Sequence, residues 1–208
     1  MWGKRKMKKY DIFLFVVTVL LVVGVFFFSE TVPIHWNASW QVDGYGSRYT
    51  LLILAFLPMV VYYGMSLTKR IDPRKDVLKY RGKTYDTIQK YLSFFFILLV
   101  IFFYYMTLKP ESNGTILISF ILGGMFIMLG NYMPTVPKNY FLGIKTPWTL
   151  ASEVVWKKTH KVAGYCYVLA GVLIIVGGLI DMYWVIFASI GVATVYVFIY
   201  SYIEFKRL

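Results

Sequence analysis

Six stretches free of charged residues divide this chain, at 12–29, 49–68, 91–108, 112–137, 162–180 and 182–203. Each is close to or above the ~20 residues that a helix needs to cross about 30 Å of hydrocarbon. The pattern therefore predicts an all-α, polytopic membrane protein with six transmembrane helices. The connections leave no room for a separate soluble unit, so 1–208 reads as one membrane domain. The first two helices and their loop occupy 10–68, and a four-helix part occupies 91–208. Pro58 removes a backbone donor from the second helix and is expected to kink it, and Gly123 with Gly124 is expected to loosen the fourth. On the fifth, Ala163, Ala170 and Gly177 run beside Gly164, Gly171 and Gly178 at seven-residue intervals. That interval keeps small side chains on one stripe, which reads as a seam for close helix packing rather than a ligand groove.

Charge orients these spans. Of 22 Lys and Arg residues, 20 fall in alternate connections: Lys4, Arg5, Lys6, Lys8 and Lys9 at the start, eight in 69–90, five in 138–161, and Lys206 with Arg207. The intervening connections hold only Arg48 and Lys109. Basic residues in short loops are retained on the cytoplasmic side, which predicts both termini inside and residues 30–48 outside. The net charge of +12 then marks membrane edges and attraction to anionic lipid, and no direct nucleic-acid partner is expected. With 59% hydrophobic residues, the lipid bilayer is the first partner. The first stretch follows a basic leader, but Phe26, Phe27 and Phe28 stand where cleavage needs small residues, so it reads as an uncleaved anchor.

The chemistry that is missing narrows the function. No Asp, Glu, Lys, Arg or His falls in the six stretches, which argues against a proton-coupled pump. A single cysteine, Cys166, rules out an intramolecular disulfide and a cysteine metal cluster. His35 and His160 are expected on opposite sides of the membrane, where they cannot share a metal or a catalytic dyad. No cofactor, no metal and no catalytic residue is expected.

Two connections are long enough to hold a site. The outside loop reads Val32-Pro33-Ile34-His35-Trp36-Asn37, then Asp43-Gly44-Tyr45-Gly46-Ser47-Arg48, with Asp43-Gly44 as a turn signal. Trp36, Trp40 and Tyr45 are expected in the outer interface. Glu30, His35 and Asp43 are a poor metal set, so an ordered cap over the helix ends is the preferred reading. Inside, Pro134 and Pro137 end the fourth helix within the segment 131–161. Thr146 then reads as an N-cap and Pro147 as the first residue of a short interfacial cytoplasmic helix that runs into the fifth span. On that helix Glu153 and Lys157 are spaced for an ion pair. Trp148 and Trp156 are expected on one face, down into lipid, with Lys157, Lys158 and Lys161 toward phosphates.

The string from Gly143 to Leu150, Gly-Ile-Lys-Thr-Pro-Trp-Thr-Leu, followed by Glu153, Trp156 and His160, resembles the C-terminal motif of the SdpI family of bacterial membrane immunity proteins. The outside string Pro33, His35, Trp36, Asn37 with Asp43-Gly44-Tyr45-Gly46-Ser47-Arg48 resembles the small extracytoplasmic module that often precedes it. The chain departs from the usual patterns at Trp40, Arg48 and Lys145. The resemblance implies a multi-pass protein of the bacterial cytoplasmic membrane that protects the cell from a membrane-active peptide toxin. It further implies a receptor that sequesters a small winged-helix transcriptional repressor. On that reading Asn139, Gly143, Lys145, Thr146, Pro147, Trp148, Thr149, Glu153, Trp156 and His160 form the cytoplasmic partner surface. Pro33, His35, Trp36, Asn37, Asp43 and Gly44 form the toxin surface. Two other classes compete: a small transporter or lipid-handling permease, and a membrane enzyme using His160 with Glu153. The latter two lie two helical turns, about 10 Å, apart, too far for a hydrogen-bonded pair.

Overall fold

The computed structural model describes residues 9–208, without the side chains of 79–81; Lys4, Arg5, Lys6 and Lys8 lie outside the described residues. The described residues are mostly helical. Helix α1 (Lys9–Val25) leads to an antiparallel hairpin of β1 (Thr31–Trp36) and β2 (Val42–Ser47), then to α2 (Thr50–Ile71) and the short α3 (Lys75–Arg81). After α4 (Lys83–Leu108) and α5 (Thr115–Tyr132), a 3-10 turn (Met133–Thr135) opens the inner loop. The short α6 (Pro147–Ala151) and the long α7 (Glu153–Leu179) and α8 (Trp184–Lys206) complete the chain.

Five helices are long and apolar enough to cross a membrane: α2, α4, α5 with its 3-10 extension, α7 and α8. The 17 described residues of α1 cover about 26 Å. Its fully buried Leu14 and Val25 face α2 and α4, meeting Tyr62 and Ile97 at one end and Val32 and Leu51 at the other. The expectation of an all-α chain fails at the outer loop, where β1 pairs with β2 from Thr31 opposite Ser47 to Trp36 opposite Val42. The turn does not fall at Asp43-Gly44, which sits inside β2. Asn37 makes it instead: its Oδ1 accepts from the amides of Ser39 and Gln41 at 2.9 and 3.0 Å. A side-chain amide that imitates a backbone turn gives the chain an alternative to helix.

Helix α2 runs unbroken through Pro58. Polar side chains of α4 brace that stretch: Ser93 Oγ donates to the Pro58 carbonyl at 3.0 Å, and Gln89 Nε2 to the Tyr62 carbonyl at 2.6 Å. In hydrocarbon such groups must find partners within the protein.

The expected small-residue seam is real, and its partner is α5. A Cβ added at Gly130 would lie 2.7 Å from the Gly164 carbonyl, and one at Gly164 would lie 2.9 Å from the Gly130 carbonyl. Gly171 presses on Gly123 in the same manner, and Gly178 on Ser119. Gly123 therefore does not loosen α5; it lets two backbones touch, which is how helices gain dispersion contact in lipid. Gly124, one residue on, faces open space. Gly130→Leu is expected to lower stability by about 1–3 kcal/mol through overpacking. Gly64→Leu, where a Cβ meets nothing within 4 Å, should be nearly neutral. Unfolding of the purified protein in denaturant measures both, and equal losses would contradict the seam.

Candidate functional site

The inner loop, 136–146, is tied to the start of α7 by two side chains that stack on one another. Trp156 and His160 are 1% and 0% exposed, and their ring centroids lie 4.0 Å apart. The Trp156 indole N–H donates to the Val136 carbonyl at 2.9 Å, at one end of the loop. At the other end, His160 Nε2 accepts the Ile144 amide proton at 3.0 Å. Since Nε2 accepts, the ring is neutral with its proton on Nδ1, which faces the Trp156 carbonyl at 2.8 Å. Gly143 has φ of 114°, a conformation that side chains resist. A Cβ there would also run into His160 Nε2 and the Trp156 ring.

Asn139, fully buried, organises the middle of the loop. Its Oδ1 accepts from the Phe141 and Leu142 amides at 2.9 and 2.6 Å, and its Nδ2 donates to the Pro137 and Leu142 carbonyls, both at 2.8 Å. Asp72, 1% exposed, reaches in from the end of α2. Its two carboxylate oxygens accept from the Arg74 and Tyr140 amides at 2.6 and 2.8 Å.

Thr146 caps α6 as expected, with Pro147 at its first turn and a reciprocal bond to Thr149. Thr146 Oγ1 also meets Ser201 of α8 at 3.2 Å. The short helix does not run into α7. Ser152 ends α6 and caps α7, its Oγ accepting from the Val155 amide at 3.4 Å. This break separates the two tryptophans: Trp148 packs on Phe198 and Tyr202 of α8 at 5.3 and 5.0 Å, whereas Trp156 turns under the loop. The expectation of one aromatic face laid down on lipid is thereby overturned, because both rings are taken up by protein. Lys158 likewise pairs with the buried Glu204 of α8 rather than pointing to phosphates. Glu153 and Lys157 do approach, at 3.9 Å.

The ten expected partner residues therefore divide in two. Asn139, Thr146, Thr149, Trp156 and His160 are buried and hydrogen-bonded within the protein, and Gly143 gives them room. Lys145, Pro147 and Glu153 are exposed, and Trp148 is half-buried. The framework also displays Tyr140 and Phe141, 47% and 38% exposed, which were not anticipated. Beside the loop, Arg74, Lys138, Glu153 and Lys157 border a cleft of about 660 Å³. Burial, and secondarily the Arg74 guanidinium, push the Lys138 ammonium below its usual value. His160 and Glu153 are not brought together, and both ring nitrogens of His160 are occupied.

The outer hairpin shows the same division. Trp36 packs against Phe103 of α4 at 6.4 Å. Trp40, at φ of 59°, donates its indole N–H to Thr115 of α5 at 2.7 Å and sits edge-on to Phe102. With these anchors set, His35 and Asp43 stand side by side on the exposed face, Nδ1 to Oδ1 2.5 Å. Pro33, Asn37 and Gly44 are half-buried, and a Cβ at Gly44 would lie 3.0 Å from His35 Cβ. Glu30 does not join this pair, and among the described residues no cluster of three metal-ligating side chains forms.

Asp72, Ser201 and Glu204 escaped sequence reasoning. Only Asp72 left a signal, an Asp before Pro73 near the start of the basic segment 69–90, a common start of an Asx turn. Removing the loop's fastenings should open it. Asn139→Asp keeps the acceptor and loses both donors, and His160→Ala frees the Ile144 amide. Each is expected to raise the rate of tryptic cleavage at Lys138 and Lys145 by about tenfold or more, from the loss of roughly 1–3 kcal/mol per buried partner. Cleavage at the wild-type rate in both would show that these side chains do not secure the loop.

Comparison with known proteins fits this geometry. Residues 135–201, which contain the inner loop, α6, α7 and most of α8, match the SdpI/YfhL protein family. Residues 12–59, which contain the hairpin, match a domain of unknown function, DUF1648. The protein named Immunity protein SdpI, from Bacillus subtilis (strain 168), is 25% identical over 174 residues, 82% of this chain and 81% of that one. No solved structure matches the chain. With its five apolar helices and these two matches, the chain is a multi-pass bacterial membrane protein whose residues 135–201 match the SdpI/YfhL family.

Proposed function

We propose that this protein protects its cell from a membrane-active peptide toxin, which it meets at the outer hairpin. On this reading the inner loop is the docking place of a small winged-helix transcriptional repressor. The observation that carries the reading is the similarity, across most of both chains, to a protein named for immunity. It is supported by the disposition of side chains at the two ends. At each, half-buried tryptophans or a buried tryptophan–histidine stack hold a short segment, and a few polar or aromatic groups are left facing outward. Such groups are His35 and Asp43 on the hairpin, and Tyr140, Phe141, Lys145 and Glu153 on the loop. In this proposal α1 completes a sixth crossing, both termini lie in the cytoplasm and the hairpin lies outside, as the basic residues direct. Toxin binding is passed inward by repacking along the α5–α7 seam, to the extent that toxin binds the two packings unequally.

Sidedness is tested first. In a Cys166→Ala background, Ser39→Cys should react with an impermeant maleimide on intact cells, and Phe141→Cys only after permeabilisation; labelling of both on intact cells would refute the arrangement. The two ends should then separate. His35→Ala with Asp43→Ala is expected to accumulate normally in the membrane yet lower the tolerated toxin concentration by about tenfold, the equivalent of ~1.4 kcal/mol of binding. Phe141→Ala with Lys145→Ala should leave tolerance intact and abolish co-sedimentation of the repressor with membranes. Full tolerance in the hairpin variant, in cells that lose tolerance when the gene is deleted, would remove the hairpin from toxin recognition.

A further inference from the structure

A groove runs down α4 from its basic end into the membrane. Thr87, Tyr91, Phe94 and Leu98 follow one another at intervals of three or four residues and so share a face. Over their 11-residue span the groove is roughly 16 Å long, the depth of one leaflet of a ~30 Å hydrocarbon core. Two clefts meet along it. The first, about 350 Å³, lies between Tyr10 of α1 and Thr87, Lys90, Tyr91 and Phe94. The second, about 220 Å³, continues between α4 and α5 beside Phe94, Leu98, Phe120, Gly124 and Met125. Tyr91 and Phe94 line both.

We propose that this groove binds one anionic phospholipid of the basic-side leaflet, its headgroup phosphate at Lys90 and Thr87 and an acyl chain beside Gly124. The mouth is polar and cationic, while the floor is aromatic and aliphatic. Lys90 is exposed, and among the described residues no carboxylate pairs with it. Its ammonium stands 5.9 Å from the centre of the Tyr10 ring, and the Tyr10 hydroxyl is fixed to the Lys90 carbonyl at 2.8 Å, so the wall of the mouth is preformed. Helix packing does not require the inner slot. Gly123 already makes the close approach to α7, whereas a Cβ at Gly124 would meet nothing within 4 Å. The slot is also far too small for a helix, which is about 10 Å across with its side chains, but it suits a single hydrocarbon chain. Charge at one end only, at headgroup depth, selects an anionic lipid over a zwitterionic one.

Native mass spectrometry of the full chain released from micelles with equimolar phosphatidylglycerol and phosphatidylcholine tests this. The wild type should retain one phosphatidylglycerol in preference by about fivefold, the effect expected of one basic residue near an anionic surface. Lys90→Ala should bring the two lipids to parity. Gly124→Leu should fill the slot and reduce retention of both, and Gly191→Leu, where a Cβ also meets nothing, should retain lipid as the wild type does. A wild type without preference would overturn the proposal, as would a preference that survives Lys90→Ala. Dimers that Gly124→Leu dissolves, without any lipid preference, would assign the groove to a second copy of the chain instead.

Discussion

A loop at the end of a membrane helix has to find partners for its own amides and carbonyls, because burial without them costs several times what each bond contributes. Residues 136–146 meet this requirement through side chains rather than a regular ladder. Trp156 takes the carbonyl at one end, His160 the amide at the other, Asn139 the middle, and Asp72 the Tyr140 amide from a different connection. Everything displayed at that end of the molecule stands on these bonds. In this chain the segment from Gly143 to His160 is therefore chiefly a means of holding a short loop still, and the side chains left exposed are those between the fixed points.

The hairpin follows the same logic with different pieces. Asn37 folds the turn and Trp40 pins it to α5. Gly44 and Gly46 leave room for His35 and for Ile34 across the ladder. Val32, 2% exposed, packs with Val25 and Leu51, so β1 is sealed against the outer ends of α1 and α2. The exposed His35–Asp43 pair thus rests on a base that belongs to the membrane domain.

Much of this was legible in the chain. The long helices followed from the length that hydrocarbon imposes, the Thr146–Pro147 helix start from local capping chemistry, and the α7 stripe from its period of seven. What was missed depends on partners far away in sequence. Asp72 binds an amide 68 residues on, Lys158 a carboxylate 46 on, and Trp40 a hydroxyl 75 on. The hairpin was missed because Asp43-Gly44 carries the stronger local turn signal, while the register that wins is set by tertiary anchoring of both tryptophans. The separation of Trp148 from Trp156 was missed because a single serine both ends one helix and begins the next.

Helix α2 has a property that its sequence as a plain apolar span conceals. It starts three residues after the hairpin's second strand ends and finishes against Asp72, the residue whose carboxylate grips the displayed Tyr140 backbone. Its 22 residues amount to a rod of roughly 33 Å, continuous through Pro58, where Ser93 and Gln89 act as a splint. The hairpin and the 136–146 loop are thus joined in series by a single continuous helix, so that shifting one end of that helix without bending it shifts the other.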